Sequence, residues 1–192
     1  MAISPRIVKG ALVRLDDSGD RLAGDALVFQ FNPAKLTRRI DRQSGRAPRE
    51  TISFALEFDA TDAMELPDDE STIAAHGVYP MLAALQTLMY SPVSNVPGWL
   101  ETFLGIGAAG GDRPLALFVW GDQRAIPVRI TRLGISEDQH DPELHPIRAT
   151  VDVELRVVTD RDLPKNDNVV ESWRRHLEAL RDMAELGFSR LP

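Results

Sequence analysis

The 192-residue sequence predicts a mainly β protein with minor α content: a rolled antiparallel barrel or sandwich with one inserted helix and a C-terminal helix. Three observations carry this expectation. Segments of alternating apolar and polar residues recur, most regularly at Thr51 to Asp59 and Ile147 to Val158. Period-two alternation turns one face of a strand to a core and the other to solvent. Turn signals such as Gly121-Asp122-Gln123 join neighbouring segments as hairpins, while helical periodicity is confined to Tyr79 to Met89 and Asn168 to Gly187.

The first strand is expected at Ile7 to Leu15, before the turn-rich Asp16-Asp17-Ser18-Gly19-Asp20. Ala26 to Phe31 follows, with Leu27, Phe29 and Phe31 on one face. Asn32-Pro33 ends it, because proline cannot donate to a ladder and restricts the residue before it. Leu36 to Arg42 is a further extended segment, and Gln43 to Arg49, with Gly45 and Pro48, a polar loop. In Thr51 to Asp59 the inward set is Ile52, Phe54, Leu56 and Phe58. Ala60 to Ser71 is an acidic loop. Tyr79 to Met89 is helical, with Pro80 in its first turn and Leu82, Leu85 and Met89 at helical spacing.

Ser91 to Asp112 is rich in Gly and Pro and reads as irregular. Pro114 to Trp120 is apolar on both faces, as a central strand covered on both sides would be. A turn leads into Ile126 to Leu133, a polar loop spans Asp138 to Pro146, and Ile147 to Val158 turns Val151, Val153, Leu155 and Val157 inward. Phe54, Phe58, Phe118, Val151 and Val153 are expected in one buried cluster.

Residues 1–159 therefore form the β domain, and 160–192 a charged linker and amphipathic helix. Asn168 and Glu171 have capping-box spacing, and Gly187 is a C-terminal stop. The stripe Trp173, Leu177, Leu180 and Ala184 either packs on its own domain or docks in a partner's groove.

Composition removes several function classes. With no cysteines, disulfides and thiolate metal sites are excluded. A net charge of −7 argues against nucleic-acid binding. No apolar run approaches the roughly 20 residues of a membrane span, and Met1 to Lys9 lacks the apolar stretch of a secretory signal. The expectation is a protein made in the cytoplasm, without membrane insertion.

Motifs for catalysis are scarce. Gly105-Ile106-Gly107-Ala108-Ala109-Gly110 has dinucleotide-loop spacing, but a strand rather than a helix follows, so it reads as a flexible loop. His140 and His145 flank Asp141-Pro142-Glu143 with no evident third ligand, while zinc needs three or four. Asp59, Asp62, Glu65, Asp68, Asp69 and Glu70 lack the pattern of a calcium loop. No G-x-S-x-G or Walker motif is present. Catalytic, cofactor and metal residues are therefore left unassigned. The basic cluster Lys35, Arg38, Arg39, Arg42, Arg46 and Arg49 is either a solvated strand edge and loop or a surface that docks on an acidic neighbour.

Several patterns in order resemble one family across residues 7 to 159. They are Phe29-Gln30-Phe31-Asn32-Pro33-Ala34-Lys35-Leu36, the Ile52 to Ala60 strand with its Phe58-Asp59, the Tyr79 to Met89 helix, Arg113-Pro114-Leu115-Ala116-Leu117-Phe118-Val119-Trp120-Gly121, and Pro146-Ile147-Arg148-Ala149-Thr150-Val151-Asp152-Val153. Together they resemble the tube-protein domain of contractile injection systems, the phage-tail-like particles. The resemblance implies a rolled β-barrel and a non-enzymatic ring subunit, hexameric, at the junction of inner tube, central spike and baseplate. It implies tube and spike proteins as partners and assembly into a particle after cytoplasmic synthesis. Better-known members continue into a peptidoglycan-associated LysM module, whereas this sequence continues into the Asn168 to Gly187 helix. Arg38, Arg39, Arg42, Arg46, Arg49 and Trp173 are the candidate assembly residues. The alternative is a β-barrel enzyme or small-ligand binder with a site near His140, His145 and the acidic loop.

Overall fold

The computed structural model describes residues 8–16, 19–42, 44, 48–61, 75–90, 114–162 and 167–188. Its strands are β1 (Ala11–Leu15), β2 (Arg21–Val28), β3 (Thr37–Asp41), β4 (Arg49–Asp59), β5 (Leu115–Val119), β6 (Ala125–His140) and β7 (Pro146–Val157). They form one seven-stranded sheet in the order β2-β1-β5-β6-β7-β4-β3, each neighbouring pair antiparallel. The helices are α1 (Tyr79–Thr87) and α2 (Asp167–Phe188). The protein is thus mainly antiparallel β with minor α.

The strands make a single sheet rather than a two-sheet sandwich, and its end strands β2 and β3 do not pair with each other, so the expected barrel is not closed. The sheet is nevertheless rolled around a common core. Phe29, just past β2, lies 5.6 Å from Phe54 of β4, and Phe54 lies 5.5 Å from Phe118 of β5. A flat sheet would hold the β2 and β4 sides several strand spacings of about 4.8 Å apart.

Register explains why the core forms where it does. Between β4 and β7, Phe54 faces Val153, Leu56 faces Val151 and Phe58 faces Ala149. All six are 5% exposed or less. A one-residue slip would turn this whole set outward, at about 1.5–3 kcal/mol for each large side chain. The expected cluster of Phe54, Phe58, Phe118, Val151 and Val153 is present, and Leu82 and Leu85 of α1 join it. On β5, Ala116 and Phe118 enter this cluster, while Leu115 and Leu117 join a second one with Leu15, Val158 and Val169 of α2. That second cluster accounts for a strand apolar on both faces.

Several boundaries differ from expectation. β2 runs from Arg21 to Val28, and Phe31 is 48% exposed while Phe29 is buried. The ladder ends where the Phe29 N–H donates to the Gly10 carbonyl; Asn32 then takes over, accepting from the Gly10 N–H and donating to the Val8 carbonyl. β6 continues past Leu133 to His140, because it stays paired with β7 beyond an irregularity between Ile130 and Arg132. The polar loop shrinks to residues 141–145. α2 begins at Asp167, so Asn168 lies inside its first turn and donates to Asp20 Oδ1 at 3.1 Å. Glu171 pairs along the helix with Arg174 and Arg175, and Gly187 sits within the last turn rather than after it. The acidic run beyond Asp59, the Gly105 to Gly110 stretch and Arg46 lie outside the described residues.

Candidate functional site

The basic cluster divides once β3 pairs with β4. Opposed residues share a face of the sheet, and Arg38 opposes buried Ile52 while Ile40 opposes Glu50. Glu50 is only 8% exposed, and Arg38 Nε donates to its Oε1 at 2.6 Å. Arg38 is therefore committed within the fold. Arg39, Arg42 and Arg49 are exposed, and Asp41 stands directly opposite Arg49. This exposed set lies on and beside β3, an end strand of the sheet.

Trp173 is half-buried and packs against the main core, so the helix stripe is used at home over its first turns. Val169 is fully buried and His176 is 3% exposed. Further along, the stripe leaves the sheet: Leu177, Leu180, Met183, Leu186 and Phe188 are all more than 40% exposed. Sequence spacing placed Trp173, Leu177, Leu180 and Ala184 together; the sheet covers only the N-terminal part. His176, three residues after Trp173, was absent from that stripe, although the same spacing puts it on the buried side.

At the opposite tip of β6 and β7, Asp141 organises the turn. Its Oδ1 accepts from the His145 backbone N–H at 2.7 Å, and its Oδ2 lies 2.9 Å from His145 Nδ1. Burial acts to raise the Asp141 carboxyl, but the backbone and ring hydrogen bonds of His145 outweigh it and leave the carboxyl below its usual range. His76 meets the His145 ring edge-on at 5.7 Å. His140 does not join them; it lies 3.7 Å from Glu137. Among the described residues no three His, Asp or Glu side chains converge to hold a metal. Gly77 ties this tip to α1: it has φ +58, and a Cβ there would lie 2.2 Å from the Pro146 carbonyl oxygen. The same carbonyl accepts from the Val78 N–H at 2.8 Å.

A second carboxylate, Asp59 at the end of β4, is held below its usual range first by the Thr61 hydroxyl and backbone N–H, and then by Arg148 at 2.8 Å. An open groove of about 640 Å³ is lined by Phe31, Lys35, Glu57, Arg132 and Asp152 among others, and includes neither His140 nor His145. Its mixed charges and openness differ from the enclosed apolar cavity typical of small-ligand sites. No helix among the described residues is long and apolar enough to cross a membrane.

Fold and surface together define a rolled, unclosed antiparallel β protein with an exposed basic edge and a partly docked terminal helix. No family model matches the sequence, and no curated protein matches it either.

Proposed function

We propose that this protein is a structural subunit of a contractile injection system, forming a ring at the junction of inner tube, spike and baseplate. The observation that carries the reading is that β3 is an end strand of the sheet, with no second partner strand among the described residues. This end strand exposes Arg39 and Ile40, the latter 59% exposed, with Arg42 just beyond it. A bare edge is a template for pairing with another chain, and charge on it selects the partner. Two copies of the same basic edge repel, whereas an acidic surface elsewhere on the next subunit is attracted. Such a head-to-tail contact closes into a ring when its rotation permits.

The test is mass measurement by light scattering, for the protein alone and mixed with tube and spike proteins, at low and high salt. A ring of defined stoichiometry, alone or in the mixture, is the expected result. A monomer that ignores both partners under every condition refutes it. The second reading, an enzyme or small-ligand binder, draws on the Asp141–His145 pair with His76 beside it. It requires a ligand that perturbs the His145 imidazole resonances.

A further inference from the structure

His176 is 3% exposed, and neither of its ring nitrogens has a hydrogen-bond partner among the described residues. Such orphaned groups are rare in folded proteins. The described residues around it explain why they offer none. Trp173 of the same helix lies 5.5 Å away, ring to ring. The charged groups that act on it from the sheet side are Glu50 of β4, Arg38 of β3 and Arg124 just before β6. Glu50 already accepts from Arg38 at 2.6 Å. On its own helix the adjacent Arg175 and Glu178 are exposed.

The attachment of α2 is correspondingly narrow. Buried Val169, half-buried Trp173 and His176 bind it to the domain, and every residue from Leu180 to Phe188 is exposed. We propose that α2 is a pH-released latch: protonation of His176 in mild acid detaches the helix and uncovers Val169 with the rest of the second apolar cluster, and Trp173 with the part of the main core it covers. This inference does not depend on the assembly role.

The physical argument is the burial of a charge. A neutral imidazole tolerates this site, at the loss of its hydrogen bonds with water. An imidazolium there faces two guanidinium groups and one carboxylate that is already paired. Leaving the sheet restores its hydration, and a buried charge without a free partner is costly. Burial holds the imidazole below its ordinary 6.5; Glu50 opposes this, and Arg38 and Arg124 add to it. A group depressed in this way contributes fully to docking above 6.5, and its contribution is lost as pH falls from there toward the docked-state value.

The protein has no cysteine, so a single introduced thiol is a clean reporter. Full-length Val169→Cys is labelled with an acid-tolerant disulfide reagent from pH 8 to pH 5, each rate divided by that of the same variant in denaturant. The expected result is protection at high pH and, below the ordinary histidine range, a rise of about tenfold per pH unit until the docked-state value is reached. Ala116→Cys, in the main core, should stay protected throughout, and His176→Phe should abolish the rise at position 169. A flat profile at position 169 overturns the proposal. So does a rise that survives His176→Phe, or an equal rise at position 116, which would mean unfolding of the whole domain. Should His176→Phe not fold, titration of the imidazole resonances in the unaltered protein decides: a value below 6.5 is expected, and one at or above it overturns the latch.

Discussion

The side-chain amide of Gln30 and the backbone of Asp59 exchange two hydrogen bonds, with Nε2 donating to the Asp59 carbonyl at 2.6 Å and the Asp59 N–H donating to Oε1 at 2.9 Å. Gln30 follows β2 and Asp59 ends β4, so this amide serves as a peptide unit between two sides of a sheet that no backbone ladder closes. Together with the contact of Phe29 on Phe54, it holds the roll shut near that end. Gln30→Leu keeps the volume and removes both bonds, leaving an N–H and a carbonyl orphaned. The expected loss is about 1–3 kcal/mol, read from the urea midpoint. An unchanged midpoint would show that water replaces the amide at no cost.

Phe118 is the central ring of the core, 5.5 Å from Phe54 and 6.0 Å from Trp120, and is fully buried. Phe118→Ala should destabilise the fold by about 3–5 kcal/mol, the range for a large aromatic truncated inside a packed core. A thermal melt that matches the parent protein would remove Phe118 from the core.

The arginines should separate into two groups. Glu50→Ala leaves Arg38 without its carboxylate in a half-buried place, and about 2–3 kcal/mol of stability should be lost, below the 3–5 kcal/mol of a fully buried pair. The double reversal of Arg39 and Arg42 to Glu should leave the melt nearly unchanged, since exposed charges contribute little. It should slow association with tube and spike partners and weaken its salt dependence. Normal assembly by the double reversal contradicts a docking role for this edge.

Gly77 cannot accept a side chain where it stands. Gly77→Ala combines positive φ with a Cβ placed 2.2 Å from the Pro146 carbonyl oxygen. The expected loss is at least about 2 kcal/mol, beyond the ordinary glycine effect, because backbone must move. Chemical denaturation measures it, and a neutral result would mean that α1 can shift away from β7 freely.

The pair Asp141 and His145 should organise the β6–β7 turn without a metal. Protein purified without metal-affinity steps should contain less than stoichiometric zinc by elemental analysis. One tightly held equivalent that disappears in His145→Ala would reverse this reading.

Much of the strand pattern was legible beforehand because it is local. Ile52 to Phe58 and Val151 to Val157 alternate with period two, so their buried faces follow from the chain alone. Pro80 marks the first turn of α1 for the same local reason, its preset φ. The apolar-on-both-faces character of Leu115 to Val119 anticipated a strand covered twice. No local signal told that β6 would run on to His140, since its last residues are polar and are held by pairing with β7 rather than by a core.

What the sequence by itself determined is which residues face the core along β4 and β7 and about where the helices fall, because side-chain periodicity is a property of consecutive residues. What only the tertiary structure decided is which of these residues meet. Arg38 belongs to a basic cluster by sequence and to Glu50 by register, a partner twelve residues away brought within 2.6 Å by β3–β4 pairing. His176 becomes buried, without a hydrogen-bond partner among the described residues, only when α2 docks on the sheet. The unclosed sheet, with the Gln30 amide spanning its gap, depends on strand order. Register, docking and closure are contacts between residues far apart in the chain, and their energies exist only once the chain has folded back on itself.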